Sequence, residues 1–217
     1  KLFKKNDKII MVGGSGLYAK AVTSGLDKFP KVNQKVKEKI NEYFIKDGLQ
    51  GLQKMLLEKD PIYFERVDLN NHRRIIRALE ICEESQKPYS SFLNLSSKTK
   101  FFETKTIFLE LPRDQLYKKI NKRVDEMIKK GFKNEAKKLY PNKDLRALQT
   151  LGYKEWFNHF DGKIKIKETI EEIKKNTRRY AKRQLTWFNK IEKVVIELEN
   201  DEIPTKKIVA ILNNLLT

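Results

Sequence analysis

The sequence predicts an α/β fold, and three observations carry that reading. Short apolar runs rich in β-branched residues (Ile9-Ile10-Met11-Val12, Thr106 to Leu111, Val194 to Leu198) read as buried strands. The longer segments between them carry apolar residues at helical spacing. Strands separated by helices are the signature of a parallel sheet covered by helices. From residue 28 to 92 the pattern is helical throughout. This block therefore reads as a helical domain inserted into a core made of residues 1–27 and 93–217.

The first apolar run breaks at Gly13, Gly14 and Gly16 before a helical segment, Leu17 to Val22. Strand, glycine turn and helix form a geometry that receives a phosphate on freed backbone N–H groups. Ser15 adds a hydroxyl and Lys20 a positive charge. The turn is neither a Walker A loop nor Gly-x-Gly-x-x-Gly, and a tight turn that needs glycine for backbone reasons explains the same residues. In the helical block, Val32, Val36, Ile40 and Phe44 mark one amphipathic helix that ends at Asp47-Gly48, with Lys35, Lys37 and Lys39 on its other faces. Leu49, Leu52, Leu56 and Leu57 mark a second. Asp60-Pro61 is an N-cap followed by proline at the first helical position. Asn70-Asn71 caps a helix to about Ser85 with the stripe Ile75, Ile76, Leu79 and Cys82. Arg73, Arg74 and Arg77 share another face of it. Guanidinium forks suit phosphate or base recognition; a solvated face offset by Glu80 and Glu84 is the alternative.

Beyond a polar connection at 87–100, Leu116, Ile120, Val124, Met127 and Ile128 face inward on a helix that Gly131 terminates. Arg123 lies at the edge of that stripe, placed either to lean into a cleft or to snorkel into water. Asn134 to Tyr140 is helical and stops at Pro141. The stretch from Leu148 to Phe157 is glycine-broken, aromatic and cationic, which suits unstacked bases or a packed corner. A long helix, about Lys167 to Asn189, carries the stripe Ile170, Ile173, Thr177, Tyr180, Ala181, Gln184 and Phe188. From Ile173 to Ile191 it holds Lys174, Lys175, Arg178, Arg179, Lys182, Arg183 and Lys190 and no acid. A merely solvated helix mixes signs, so this one points to nucleic-acid or phosphate contact. Thr205 to Leu216 reads as one more helix.

Composition agrees. A net charge of +18 over 217 residues favours polyanionic partners, nucleic acid ahead of anionic membrane. No apolar run approaches the roughly 18 residues that span a bilayer. The one cysteine, Cys82, excludes an internal disulfide, and two histidines leave no zinc-type cluster. A soluble, cytoplasmic, monomeric protein is expected.

Four stretches taken together resemble the tRNA dimethylallyltransferases (tRNA isopentenyltransferases): Met11 to Tyr18 (MVGGSGLY), Asn70 to Glu80 (NNHRRIIRALE), Leu151 to Lys154 (LGYK) and Thr177 to Phe188 (TRRYAKRQLTWF). Their order and spacing over about residues 8 to 190 make the resemblance specific. It implies a P-loop-type parallel-sheet core with an inserted helical domain that grips the tRNA anticodon stem-loop. The implied reaction is Mg²⁺-assisted transfer of a dimethylallyl group from dimethylallyl diphosphate to N6 of the adenosine 3′ of the anticodon, which is flipped out to be reached. By the same resemblance, Ser15 touches the target nucleotide or its phosphate, with Gly13 and Gly14 at a phosphate or the tRNA backbone. Lys37 and the segment Arg73, Arg74, Ile75, Ile76 and Arg77 contact the tRNA. Gln149, Thr150, Leu151, Gly152, Tyr153 and Lys154 line the tRNA side of the channel, and Arg178, Arg179, Lys182 and Arg183 meet its backbone. Arg123 faces the diphosphate, where a fixed guanidinium stabilises the charge that grows on the leaving group.

Ser15 stands where the family usually has threonine, His72 where proline is common, and Lys154 where arginine is common. The family's N-terminal P-loop and its general-base aspartate have no counterpart in these residues, so the chain reads as an N-terminally truncated member. The Mg²⁺ ligands are expected in that other portion, and Asp114 and Asp125 are not promoted to the base. Such a chain is expected to bind tRNA and transfer no prenyl group. The alternatives are an adenylate isopentenyltransferase, against which the helical block and the basic helix argue, and a non-catalytic RNA-binding module.

Overall fold

The computed structural model describes residues 2–93, 102–198 and 205–216. It separates into a helical unit, residues 17–102, and an α/β unit, residues 1–16 and 103–217.

The glycine turn leads into α1 (Gly16–Thr23). The helical unit is then built on α2 (Gln34–Lys59), whose first N–H groups are capped by Asn33: its Oδ1 accepts from the Val36 N–H at 2.9 Å. At Gly48 the backbone leaves helical geometry (φ 63°, ψ −160°), so α2 is two helices joined where the Asp47-Gly48 signal lies. The short α3 (Pro61–Phe64) starts at the buried Asp60, which accepts from the Tyr63 N–H at 3.0 Å. The same carboxylate accepts from the Ser90 N–H at 2.6 Å and the Ser90 hydroxyl at 2.8 Å, clamping the 3-10 turn Tyr89–Phe92. Asn71 caps α4 (His72–Ser85). Its Ile75, Ala78 and Leu79 pack on Ile40, Leu52 and Leu56 to form this unit's core.

Glu83 of α4 bridges both halves of α2, accepting from Lys39 and, at 2.9 Å, from Lys59. Those two ammonium groups hold its carboxyl below the ordinary value of 4.5. A depressed carboxylate pKa contributes stability that is present above the unfolded-state value and lost as pH falls through the folded-state one. The thermal midpoint of Glu83→Gln is therefore expected below that of the parent chain at pH 7. The gap should close as pH drops below about 4. Two half-exposed pairs are worth roughly 0.2–1 kcal/mol each.

In the α/β unit, β1 (Ile107–Glu110) pairs in parallel with β2 (Val194–Glu197), in a register running from Ile107↔Val194 to Glu110↔Glu197. Between them come α5 (Arg113–Lys129), α6 (Phe132–Leu139), α7 (Tyr153–Phe160) and α8 (Ile166–Phe188), and after β2 comes α9 (Thr205–Leu216). Gly131 has a left-handed backbone (φ 93°) directly after α5, the role its position suggested. Val124, Phe132, Ala136, Trp156 and Ile173 form the core where α5, α6, α7 and α8 meet. Phe188 at the end of α8 packs on Phe108 of β1.

One expected strand is not formed. Ile9 to Val12 takes no strand geometry and lies exposed, Val12 to 92%. A strand needs a ladder to satisfy its backbone groups, and among the described residues β1 and β2 pair only with each other.

Candidate nucleic-acid interface

The turn between α6 and α7 is set by two residues. Gly152 sits at φ 92°, and a Cβ there would come within 2.6 Å of the Phe132 ring, so only glycine fits. Glu155, 6% exposed, reaches back from the first turn of α7 and accepts from the Gly152 N–H at 2.7 Å. This presents Gln149, Thr150 and Lys154 as exposed side chains. Facing them across an open cleft of about 460 Å³ are Tyr180 and Arg183 of α8, with Leu151 and Glu155 in its lining. The Arg183 guanidinium lies 5.6 Å over the Tyr180 ring. Tyr180 was read as part of the apolar stripe; it is 39% exposed and faces the cleft instead.

The basic run on α8 divides into two classes. Lys174 pairs with Asp125 at 2.8 Å and Glu171 at 3.3 Å, and Lys175 pairs with Glu172 at 2.8 Å. The sign mixture that the run from Ile173 lacks is supplied by acids one turn earlier and by α5. Arg178 donates to Asn121 Oδ1 at 2.7 Å and lies 6.0 Å from the Tyr117 ring, so it ties α8 to α5 rather than facing a phosphate. Arg179, Lys182, Arg183 and Lys190 have no carboxylate partner among the described residues and are exposed. Arg179, Lys182 and Arg183, three and four residues apart on α8, lie on neighbouring positions of one side of the helix, and Lys190 follows beyond its end.

The glycine turn packs against the same helix. Gln184 Nε2 donates to the Gly14 carbonyl at 2.8 Å. A Cβ at Gly14 would overlap Gln184, and one at Gly16 would overlap the Trp187 ring. Close approach of the Trp187 ring, and not a left-handed backbone, demands glycine at 16; at 14 the neighbour is the end of the flexible Gln184 side chain, and nothing crowds Gly13. Ser15 is half-buried, and its hydroxyl has no hydrogen-bond partner among the described residues.

Four other residues expected at the tRNA take packing or backbone roles in the structure. Ile75 is fully buried and Ile76 packs against the same core, so neither side chain is free for RNA. Tyr153 donates its hydroxyl to Glu135 and sets its ring edge-on to Phe132, which makes it part of the packed corner. Gly152 is buried and acts through its backbone. Gln149 stays exposed while its amide donates to the Lys143 carbonyl at 2.5 Å. In the helical unit, Arg73 and Arg74 are exposed and have no ion pair among the described residues, whereas Arg77 pairs with Glu80 at 3.3 Å and lies 6.0 Å from the Phe29 ring. Lys37 is half-buried on α2. Arg123 is exposed on α5, has no ion pair among the described residues, and lines neither this cleft nor a larger one of about 690 Å³ beside Glu110, Arg113 and Tyr117.

Sequence reasoning missed Glu155, Asn176 and Tyr180. The signal for Glu155 was present: an acid three residues after Gly152, where a helix-opening side chain reaches back to the cap N–H. Among the described residues, no three or more His, Cys, Asp or Glu side chains gather where they could hold a metal ion. No described helix is long and apolar enough to cross a membrane.

Residues 1–191 match the family model described as IPP transferase. The chain is 53% identical over 190 residues to the tRNA dimethylallyltransferase of Christiangramia forsetii, covering 88% of this chain and 63% of that protein. It is 47% identical to the tRNA dimethylallyltransferase of Flavobacterium psychrophilum, covering 98% of this chain and 71% of that one. The crystal structure of the full-length tRNA isopentenylpyrophosphate transferase from Bacillus halodurans aligns with a TM-score of 0.56 at 35% identity, over 93% of this chain and 63% of that one. The chain thus spans a little under two thirds of the first of these relatives' length.

Proposed function

This chain belongs to the IPP transferase family, and on that footing we propose that it serves transfer of a dimethylallyl group from dimethylallyl diphosphate to N6 of the adenosine 3′ of the anticodon in tRNA. The observation that carries the reading is the cleft between the Gln149–Lys154 turn and α8, lined by Arg183, on a helix that also exposes Arg179 and Lys182 with no carboxylate partner among the described residues. Exposed amide, hydroxyl and ammonium groups at 149, 150 and 154 face an aromatic ring and a guanidinium. That combination stacks and hydrogen-bonds an unstacked loop nucleotide while the cations follow the phosphates.

In this reading the acceptor side belongs to these residues. Gln149, Thr150 and Lys154 hold the loop nucleotides on one wall, and Arg183 on the other. Arg73, Arg74 and Lys37 contact the stem from the helical unit. The free Ser15 hydroxyl meets the target nucleotide. Arg123, which has no ion pair among the described residues, is available to the diphosphate, where its charge offsets the negative charge that develops as the C–O bond breaks. Asp125 is engaged by Lys174 and is not assigned as base.

The test is binding of the chain to anticodon stem-loops with adenosine or guanosine at the target position, across a salt series. Steeply salt-dependent binding that prefers adenosine is expected. Salt-dependent binding indifferent to the base would reduce the cleft to a basic surface, and no binding would overturn the reading.

A further inference from the structure

Glu155 is the one carboxylate in the cleft lining, and it is almost wholly buried. A buried carboxylate is costly unless its oxygens are hydrogen-bonded, and here each has a partner. Oε2 accepts from the Gly152 N–H at 2.7 Å, and Oε1 accepts from Asn176 Nδ2 at 2.8 Å. Asn176 belongs to α8 and stands four residues before Tyr180 and seven before Arg183, on the same face of the helix. One carboxylate therefore links the turn that forms one wall of the cleft to the helix that forms the other. The remaining amide oxygen of Asn176 accepts from Arg179 at 3.4 Å, so the link extends to one of the free cations.

We propose that Glu155 and Asn176 are a positioning pair that sets the distance between the Gln149–Lys154 turn and α8, and so makes both walls engage one RNA loop together. The proposal rests on the RNA-binding reading above. Packing alone does not call for this pair, because the core cluster of Phe132, Trp156 and Ile173 is apolar; capping of α7 accounts for the bond from Gly152 but not for the one from Asn176. What the pair adds is a fixed direction, since each hydrogen bond specifies where the turn lies along the helix.

The test is a double-mutant cycle read by stem-loop affinity at a temperature where circular dichroism shows every variant folded. In the parent chain Lys154→Ala is expected to weaken binding about tenfold and to flatten the salt slope by about 1. In an Asn176→Ala background, where the turn is no longer held to α8, the same Lys154→Ala change should cost less than about threefold. Glu155→Gln should restore near-parental affinity: its oxygen accepts from Gly152, and its amide donates to an Asn176 side chain turned end for end, giving up only the long contact from Arg179. A pair that merely stabilises the fold would lower the melting temperature in all backgrounds and leave the cost of Lys154→Ala unchanged; that additivity would overturn the positioning role. If Asn176→Ala does not fold, Asn176→Ser, which loses the amide and keeps the helix, carries the same cycle. Failure of the parent chain to bind any stem-loop would instead overturn the underlying RNA reading, and the positioning role with it.

Discussion

Replacing Arg179, Lys182 and Arg183 together with alanine is expected to weaken stem-loop binding by roughly 10²- to 10³-fold near 0.1 M salt. The slope of log affinity against log salt should flatten by about 2.7, the counterion release of three phosphate contacts. The fold should survive, because none of the three has a carboxylate partner among the described residues and all are exposed. Replacing Lys174, Lys175 and Arg178 is the informative contrast. Those cations are engaged by Asp125, Glu171, Glu172 and Asn121. Their loss should leave the salt slope nearly unchanged and lower the melting temperature. Equal slopes for the two triple variants would mean that internal pairing does not decide which cations meet RNA.

Gly152→Ala is expected to destabilise the α/β unit by about 2–6 kcal/mol, measured by urea unfolding. Two effects add. A non-glycine residue held at φ 92° is strained by roughly 1–3 kcal/mol. The new methyl group also meets the Phe132 ring in a packed core, where overpacking costs about 1–3 kcal/mol. The carbonyl of Gly152 starts α7 and its N–H holds Glu155, so relief of the clash shifts the exposed turn as well. A loss under about 1 kcal/mol would show that the turn has room that the close approach of Phe132 denies.

The α/β class, β1 and β2, the break at Gly48, the caps at Asn71 and Asp60 and the bounds of α8 were legible because each is a local matter. Period, capping residue and turn chemistry sit within a few residues of one another. What the sequence hid is pairing between distant residues. Periodicity shows that Arg178 and Arg183 lie off the core face, but not that Asn121 waits for one of them while the other faces open space. The same holds for Tyr153 and Tyr180, two aromatics near cations: one is spent on Glu135 and Phe132, the other lines the cleft. Ile9 to Val12 misled for the converse reason. Four apolar residues satisfy the local rule for a strand, yet a strand forms only beside another. The glycine at 16 likewise looked like part of a phosphate turn, and the structure explains it by the approach of Trp187.

The central claim is that the loop nucleotide at the target position lies between the Gln149–Lys154 turn and the Tyr180–Arg183 face of α8. Site-specific photo-crosslinking tests it most directly, using an anticodon stem-loop that carries a photoreactive base beside the target adenosine and peptide mapping of the adducts. Crosslinks on peptides spanning 149–154 and 180–183, with the Ser15 turn as the one further site, are the expected result. Crosslinks falling instead on α5 or α9, with those two segments unlabelled, would contradict it.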